Sequence, residues 1–199
     1  MGTNTGERIG ILGGTFDPPH LGHLIVADQV LRALDLDRVL LVPANEPWQK
    51  VGIRPITSAE KRLIMTRDAI GDADGLAVSD IELRLGGPSY TSVTLDALAE
   101  NHPETEWRII VGADAAAGLD TWHNVEKLRT QADIVVVNRP GADFQPPTGW
   151  SWELVEIPAV NISGTGLRRR VSQGRSIRFL TPNAVIDHID SWDLYRGGP

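Results

Sequence analysis

The sequence predicts an α/β protein in which helices cover both faces of a doubly wound, mainly parallel sheet. Strand-like and helix-like segments alternate along all 199 residues, which is the pattern of chains built from βαβ units. The strand-like segments are continuous apolar runs rather than alternating ones, as expected for strands buried on both faces. Neither a repeat nor a linker divides the chain, which is long enough to bury a core of its own. We therefore expect one domain over residues 1–199.

Six short apolar runs predict the strands. Glycine, proline or polar residues bound each run, and they end a strand before a helix or loop begins. The predicted strands are Arg8–Leu12, Arg38–Ala44, Leu76–Leu83, Trp107–Gly112, Asp133–Asn138 and Leu154–Pro158.

Helical spacing of apolar residues predicts the elements between the strands. Leu24, Ala27, Leu31 and Leu34 share one face of a first helix that starts at Leu21. The spacing of a threonine and a glutamate predicts a capping box before a second helix. The later elements are that second helix from Thr57 and Glu60 to about Ile70, a helix over Thr91–Asn101, a helical stretch to about Arg129, and a small C-terminal part of two short helices over about residues 163–195.

Composition excludes several classes of function. The formal charge of −7 argues against a general nucleic-acid binder, which is more often basic. The absence of cysteine excludes disulfides and thiol chemistry. The N-terminal residues lack the apolar core of a signal peptide, and no run is long enough to span a bilayer. We expect a cytoplasmic protein without a membrane partner, and the sequence leaves homo-oligomerisation open.

The stretch IGILGGTFDPPHLGHLIVAD, from Ile9 to Asp28, predicts an anion pocket between the first strand and the first helix. Gly13 and Gly14 have no Cβ, so a ligand can approach the backbone closely. The N–H groups and dipole of the following helix favour an anion, with His20 and His23 within reach. The familiar G-x-G-x-x-G and P-loop patterns are absent, so the pocket is of a different kind.

Two other interpretations of this stretch remain open. The His20 and His23 pair has the spacing of half a metal site, but the chain has no cysteine and the sequence shows no third ligand. The stretch could also be a strand-to-helix turn in which the histidines only cap the helix.

A second cluster lies in NISGTGLRRRVSQGRSIRF, over residues 161–179. Ser163 and Thr165 stand at a predicted helix start, where small hydroxyl residues cap the helix or bind phosphate oxygens. Arg168 lies in the first turn, and the planar guanidinium fork matches a phosphate group. Consecutive arginines on a helix point about 100° apart, so at most one or two of the three can face one ligand. The alternative is a solvated basic face.

Together the two clusters resemble the nucleotidyltransferase superfamily that is marked by (T/H)-x-G-H and I-S-S-T-x-x-R motifs. Here the motifs stand as HLGH (residues 20–23) and ISGTGLR (residues 162–168). Further segments narrow the resemblance to bacterial nicotinate-nucleotide adenylyltransferases, over about residues 8–189. These segments are GGTFDPPHLGHL, PANEPWQK, GGPSYTSVTLDAL, GADAAAGLDTWHNVEKL, VVNRPG and LTPNAVIDHI. The resemblance implies a Rossmann-like nucleotidyltransferase fold.

The resemblance implies a reaction of ATP with nicotinate mononucleotide that gives deamido-NAD and pyrophosphate, with Mg²⁺ held largely by ATP oxygens and water. The nucleophile would be a phosphate oxygen that is already ionised at neutral pH, so no general base is required. Catalysis then reduces to holding two polyanions in line and neutralising the charge that develops between them.

Residue roles follow from the resemblance as expectations. His23 would stabilise the reacting α-phosphate, His20 would help to hold the phosphates, and Ser163, Thr165 and Arg168 would grip the β- and γ-phosphates. Main-chain groups would line the nucleotide path at Gly13, Gly14, Thr15 and Phe16. The adenosine would be surrounded by Gly112, Asp114 and Arg139, and the pyridine ring would be bound by Thr91 and Trp122. Lys50 would reach a phosphate.

Three of these residues have plainer interpretations. Without the resemblance, Trp122 would be read as a core residue, Asp114 as a helix cap and Lys50 as a solvated loop charge. The sequence also does not separate core, interface and lid roles for Trp150 and Trp152.

One position departs from the family pattern, because Gly164 stands where the second serine of I-S-S-T is usual. A lost hydroxyl there predicts weaker ATP binding, by at most about 1–3 kcal/mol, rather than loss of function. Restoring serine should then lower the KM for ATP. Two alternatives remain: an adenylyltransferase for nicotinamide mononucleotide or phosphopantetheine, and a non-catalytic nucleotide sensor.

Overall fold

The structure is a computed structural model that describes residues 6–47, 55–138 and 148–196. Lys50 and Arg139 lie outside the described residues, so their roles stay predictions. Within the described ranges, six strands form one sheet: Arg8–Gly14 (β1), Arg38–Pro43 (β2), Leu76–Val78 (β3), Glu106–Gly112 (β4), Ala132–Asn138 (β5) and Trp152–Glu156 (β6).

The sheet confirms the predicted fold class. Its strand order is β3-β2-β1-β4-β5-β6, and every neighbouring pair is parallel. The helices between the strands are Leu21–Ala33 (α1), Ala59–Ile70 (α2), Ile81–Leu85 (α3), Thr91–Asn101 (α4), Ala113–Ala116 (α5) and Val125–Gln131 (α6), with a 3₁₀ turn over Leu119–Thr121. Two further helices follow β6: Gly164–Ser172 (α7) and Asn183–Ser191 (α8). Of the helices described, none has the length and apolar character needed to cross a membrane.

The two faces of the sheet are covered by different helices. Successive strand residues point to opposite faces, so Ile109 and Ile110 enter separate cores. Ile109 packs in the cluster that includes Leu95 of α4 and Leu128 of α6. Ile110 packs in the cluster that includes Val30 of α1. Burial on both faces explains why the strands read as continuous apolar runs.

The C-terminal part packs against the body of the protein through a third apolar cluster. Leu167 of α7 and Val185 and Ile189 of α8 are buried there with Met65 of α2. These are the two short helices predicted over about residues 163–195, and the structure places both within that range. This packing brings the second motif against the loop that carries the first.

The predicted strand over Leu76–Leu83 is wrong beyond Val78. The chain turns at once into α3, where the Arg84 N–H donates to the Asp80 carbonyl at 3.0 Å. Ile81 and Glu82 are both buried. A helical turn buries two consecutive side chains on one side, whereas a strand would place them on opposite faces.

Two predicted helix details also need correction. The stretch from Ala113 to Arg129 is not one helix, because Asn124 adopts a left-handed φ of 53° that interrupts it before α6. At the start of α2, Ser58 is the N-cap and its Oγ accepts from the Lys61 N–H at 3.4 Å. The predicted capping residue Thr57 instead donates its hydroxyl proton to the Tyr195 hydroxyl at 3.2 Å.

Candidate active site

The candidate site lies where the strand order reverses. The chain runs outward from β1 through β2 to β3 on one side, and from β4 through β5 to β6 on the other. In a doubly wound sheet, ligands bind at the carboxyl ends of the strands next to such a reversal. Gly14 ends β1 and Gly112 ends β4, so both glycines lie at this edge.

A cavity of about 370 Å³ opens at this edge of the sheet. A Cβ added to Gly13 or Gly112 would meet no atom within 4 Å, so the backbone at both positions borders open space. The cavity brings together six of the predicted site residues, namely Gly13, Gly14, Thr15, Thr91, Gly112 and Trp122.

Of the described residues predicted for the site, seven do not line this cavity: His20, His23, Ser163, Thr165 and Arg168 of the two motifs, and Phe16 and Asp114. Phe16 is 1% exposed and packs its ring against His23, with the ring centroids 4.7 Å apart. Asp114 lies in the first turn of α5 and is exposed, next to the cavity residue Ala115. Asp114 is not a helix cap, because the N-cap of α5 is Gly112.

An aromatic wall closes one side of the cavity. Trp122 packs in part against the core and also lines the cavity, so its structural and binding interpretations are compatible. Beside it, the rings of Tyr90 and His123 are stacked with centroids 4.6 Å apart. A hydrogen bond of 3.1 Å between Ser92 Oγ and His123 Nδ1 holds the imidazole in this position. Flat faces of this kind suit a planar ring.

A buried carboxylate also lines the cavity. Glu82 is 9% exposed, and its Oε1 accepts from the Thr94 hydroxyl at 2.7 Å. This bond ties α3 to the first turn of α4. Tyr90, the N-cap of α4, makes no side-chain cap, and Tyr90 and Thr91 both line the cavity. The first N–H groups of α4 therefore lie at the cavity, where a helix N-terminus favours an anion.

The two histidines of the first motif are stacked, with ring centroids 3.7 Å apart. The His20 N–H donates to His23 Nδ1 at 3.2 Å, so the capping interpretation is correct for His23. A ring nitrogen that accepts a hydrogen bond carries no proton, so the proton of a neutral His23 lies on Nε2. The cap therefore uses Nδ1, and the proton lies on the opposite ring nitrogen.

His20 is a neutral imidazole at physiological pH. It is 7% exposed, and its burial lowers its pKa from 6.5 to about 4. A Cβ at Gly22 would lie 3.0 Å from His20 Nδ1, so the glycine between the two histidines leaves room for the His20 ring.

The second motif folds against the first. Ser163 is the N-cap of α7 and its Oγ accepts from the Gly166 N–H at 3.1 Å, as predicted for a capping hydroxyl. Arg168 Nη1 donates to the Asp17 carbonyl at 2.6 Å, and its Nη2 donates to Thr165 Oγ1 at 3.0 Å. Arg168 therefore joins the second motif to the loop that leads into the first.

Gly164 is the first residue of α7 rather than its cap, so the departure from the family pattern leaves the cap of α7 intact. A Cβ at this position would lie 3.1 Å from the Asp17 carbonyl oxygen and 3.3 Å from Arg168 Nη1. Glycine thus relieves crowding between the two motifs at the place where a serine is usual.

A buried arginine that no sequence motif indicates lies under the loop between β1 and α1. Arg62 of α2 is 1% exposed and donates to the carbonyls of Thr15 (2.8 Å), Asn45 (3.0 Å) and Thr57 (2.8 Å). Burial lowers its pKa, and the neighbouring Asp17 opposes that shift. Its position in a helix with no motif gave no signal in the sequence, although a buried arginine that holds three main-chain carbonyls fixes the course of the loop.

Within residues 6–47, 55–138 and 148–196, no group of three or more histidine or carboxylate side chains could hold a metal ion. The half-site suggested by His20 and His23 thus finds no further ligands in these ranges.

The fold and this site define a protein of the cytidylyltransferase-like class, whose family model matches residues 11–170. Among solved structures, the fold is similar to that of Plasmodium falciparum nicotinic acid mononucleotide adenylyltransferase complexed with NaAD. The TM-score is 0.78 at 20% identity, and the match covers 95% of this chain and 97% of that chain.

Sequence relatives are closer. The "Probable nicotinate-nucleotide adenylyltransferase" of Roseiflexus sp. (strain RS-1) is 46% identical over 196 residues, which cover 94% of this chain and 98% of the relative. The protein of the same name in Exiguobacterium sibiricum is 42% identical over 188 residues, with coverage of 94% and 98%. The chain belongs to the nicotinate-nucleotide adenylyltransferase family.

Proposed function

We propose that the protein transfers the adenylyl group of ATP to the phosphate of nicotinate mononucleotide, giving deamido-NAD and pyrophosphate. One observation supports the proposal in addition to family membership. The loop between β1 and α1 borders the cavity at one end, and it contacts His23 and Arg168 further along. Thr15 lines the cavity, and the next residue, Phe16, packs against His23. Such a site can hold a pyridine nucleotide and a polyphosphate side by side.

The phosphate side of the site works by positioning and charge. Arg168 supplies a fixed positive charge, and the start of α7 with Ser163 and Thr165 supplies donors for the β- and γ-phosphates. His23 presents an Nε2–H that can donate to the α-phosphate as negative charge builds on its oxygens. His20, kept neutral by burial, can hold a phosphate oxygen by a hydrogen bond but adds no charge.

The reaction then proceeds without a general base. An ionised phosphate oxygen of the mononucleotide attacks the α-phosphorus of ATP, a new P–O bond forms, and the bond to the β-phosphate oxygen breaks. The electron pair leaves with pyrophosphate. Mg²⁺ would enter as part of the MgATP substrate, held by phosphate oxygens and water.

The aromatic side of the site would bind the pyridine ring. Trp122 would stack on it, and the first N–H groups of α4 near Thr91 would bind the carboxylate of the acid. An uncharged amide gains less from a helix N-terminus, so this arrangement favours the acid over the amide. The Glu82 carboxylate would lie near the ring, where the positive charge of the pyridinium offsets its negative charge.

The test is to identify the product. Purified protein is incubated with MgATP and nicotinate mononucleotide, and the dinucleotide is identified by mass spectrometry alongside the released pyrophosphate. We expect equal amounts of deamido-NAD and pyrophosphate, and a loss of both in His23→Ala. Pyrophosphate release without a dinucleotide would mean that the protein hydrolyses ATP, and the proposal would be wrong.

A further inference from the structure

We propose that Tyr195, near the C-terminus, is a positioning residue for the polyphosphate of ATP, which it affects through Asp17. The inference concerns the phosphate side of the proposed site and in that sense rests on the proposed function. Tyr195 lies outside both sequence motifs, 27 positions after Arg168.

Both the side chain and the main chain of Asp17 accept hydrogen bonds from the C-terminal part. Its carboxylate Oδ1 accepts from the Tyr195 hydroxyl at 2.6 Å, and its main-chain carbonyl accepts from Arg168 Nη1 at 2.6 Å. Asp17 is 3% exposed, so no bulk water can replace either partner. Asp17 therefore links the Tyr195 hydroxyl, through a single residue, to the carbonyl that binds the Arg168 guanidinium.

The Tyr195 hydroxyl donates its proton to Asp17 and accepts one from Thr57. Thr57 Oγ1 donates to it at 3.2 Å, which directs its own proton toward Asp17. Burial and the Asp17 charge raise the pKa of Tyr195 above its usual range, so the phenol keeps its proton throughout the working pH range. A hydrogen bond to a buried carboxylate is among the stronger ones in proteins.

The rest of the C-terminal part reinforces this contact. Thr181 Oγ1 donates to the Pro19 carbonyl at 2.8 Å, and the Leu21 N–H donates to the Leu180 carbonyl at 3.0 Å. Together with the bonds from Tyr195 and Arg168, these contacts make four hydrogen bonds to the C-terminal part, three from the loop before α1 and one from Leu21 at the start of α1. Of these four bonds, the one from Tyr195 ends on a carboxylate, whereas the other three end on main-chain groups.

The experiment replaces Tyr195 by phenylalanine, which keeps the ring and removes the hydroxyl. We expect the KM for ATP to rise about tenfold, because the buried Asp17 carboxylate loses the hydrogen bond from Tyr195, while the KM for nicotinate mononucleotide changes by less than about twofold. Calorimetric binding of MgATP should weaken by the same factor. That binding measurement needs no turnover, so it tests Tyr195 even if the wild type makes no dinucleotide.

A matched control separates positioning from simple loss of stability. Trp192 lies three residues earlier and packs in the same apolar cluster, against Lys61 and His188 rather than Asp17. Trp192→Leu should lower the free energy of unfolding and leave the affinity for MgATP unchanged. An equal loss of affinity in Trp192→Leu and Tyr195→Phe would overturn the proposal.

A second variant acts on the other end of the contact. Asp17→Asn keeps the shape of the loop and weakens the charge-assisted bond, so it should also raise the KM for ATP. Because both changes act on one contact, the double variant should be no worse than the worse single variant. Independent, additive losses, or a Tyr195→Phe protein that binds MgATP as tightly as the wild type, would refute the inference.

Discussion

Burial of a neutral His20 makes the stability of the protein depend on pH. The pKa of His20 is about 4 in the folded protein and 6.5 when the side chain is exposed to water. Between these values the unfolded chain binds a proton that the folded protein does not, so stability rises with pH across this window. The contribution of the neutral imidazole is complete above about pH 6.5 and is lost as the pH falls toward 4.

The size of the effect follows from the same two pKa values. The full difference corresponds to about 3 kcal/mol, and about 2 kcal/mol of it is lost between pH 7.5 and pH 5. The matched variant is His20→Thr, because threonine is the alternative residue at this motif position and does not titrate. Threonine can also cap α1.

The assay is urea unfolding of both proteins at a series of pH values from 7.5 to 5. Other groups titrate equally in the two proteins, so the difference between their unfolding free energies isolates His20. We expect the wild type to lose about 2 kcal/mol more than His20→Thr over this range. Parallel curves would show that His20 is not buried in its neutral form, and the reasoning would fail.

Three further predictions concern substrate binding. In Arg168→Lys, an ammonium cannot span the Asp17 carbonyl and Thr165 Oγ1 as the guanidinium does, so the KM for ATP in steady-state assays should rise about tenfold or more; an unchanged KM would contradict the bridging role. Trp122→Ala should raise the KM for nicotinate mononucleotide by about tenfold and spare that for ATP, whereas equal effects on both would place the indole outside the ring pocket. At Gly164, alanine adds only the crowding Cβ and serine adds the hydroxyl as well, so the serine variant should have the lower KM for ATP of the two; equal values would show that the hydroxyl contributes nothing.

The parts of the fold that depend on local pattern could be predicted. The buried strands β1 and β5 each contain a continuous apolar run, and α1 shows its apolar face by spacing alone. Strand-helix alternation then leaves few arrangements other than a parallel sheet. The C-terminal helices were found in the same way, although their place against α2 depends on packing that no local pattern encodes.

The errors arose where tertiary contacts decided local structure. The run from Leu76 to Leu83 is apolar enough for a strand, but burial of Glu82 against Thr94 requires a helical turn. Trp150 had no assignable role from sequence. It is 8% exposed, its indole N–H donates to Asp120 at 3.1 Å, and it packs in the same core as Trp122.

The candidate site likewise contains residues that the sequence identifies and residues that only tertiary contacts reveal. The roles of His20, His23 and Arg168 were predicted from the resemblance of their segments to known motifs, and the structure binds Arg168 to the loop that leads to the two histidines. Arg62 and Tyr195 both bind the loop between β1 and α1, but they lie far from that loop in sequence and belong to no motif. Their roles come from hydrogen bonds over 47 and 178 positions, which a single sequence does not reveal.

The central claim is that one site joins ATP to a pyridine mononucleotide and selects the acid. The most direct test is to compare kcat/KM for dinucleotide formation with nicotinate mononucleotide and with nicotinamide mononucleotide, under MgATP saturation. The structure predicts a strong preference for the acid, because the start of α4 offers N–H groups to a carboxylate at the ring cavity. Equal use of acid and amide would contradict the selective pocket, and MgATP binding without any dinucleotide would contradict the enzyme itself.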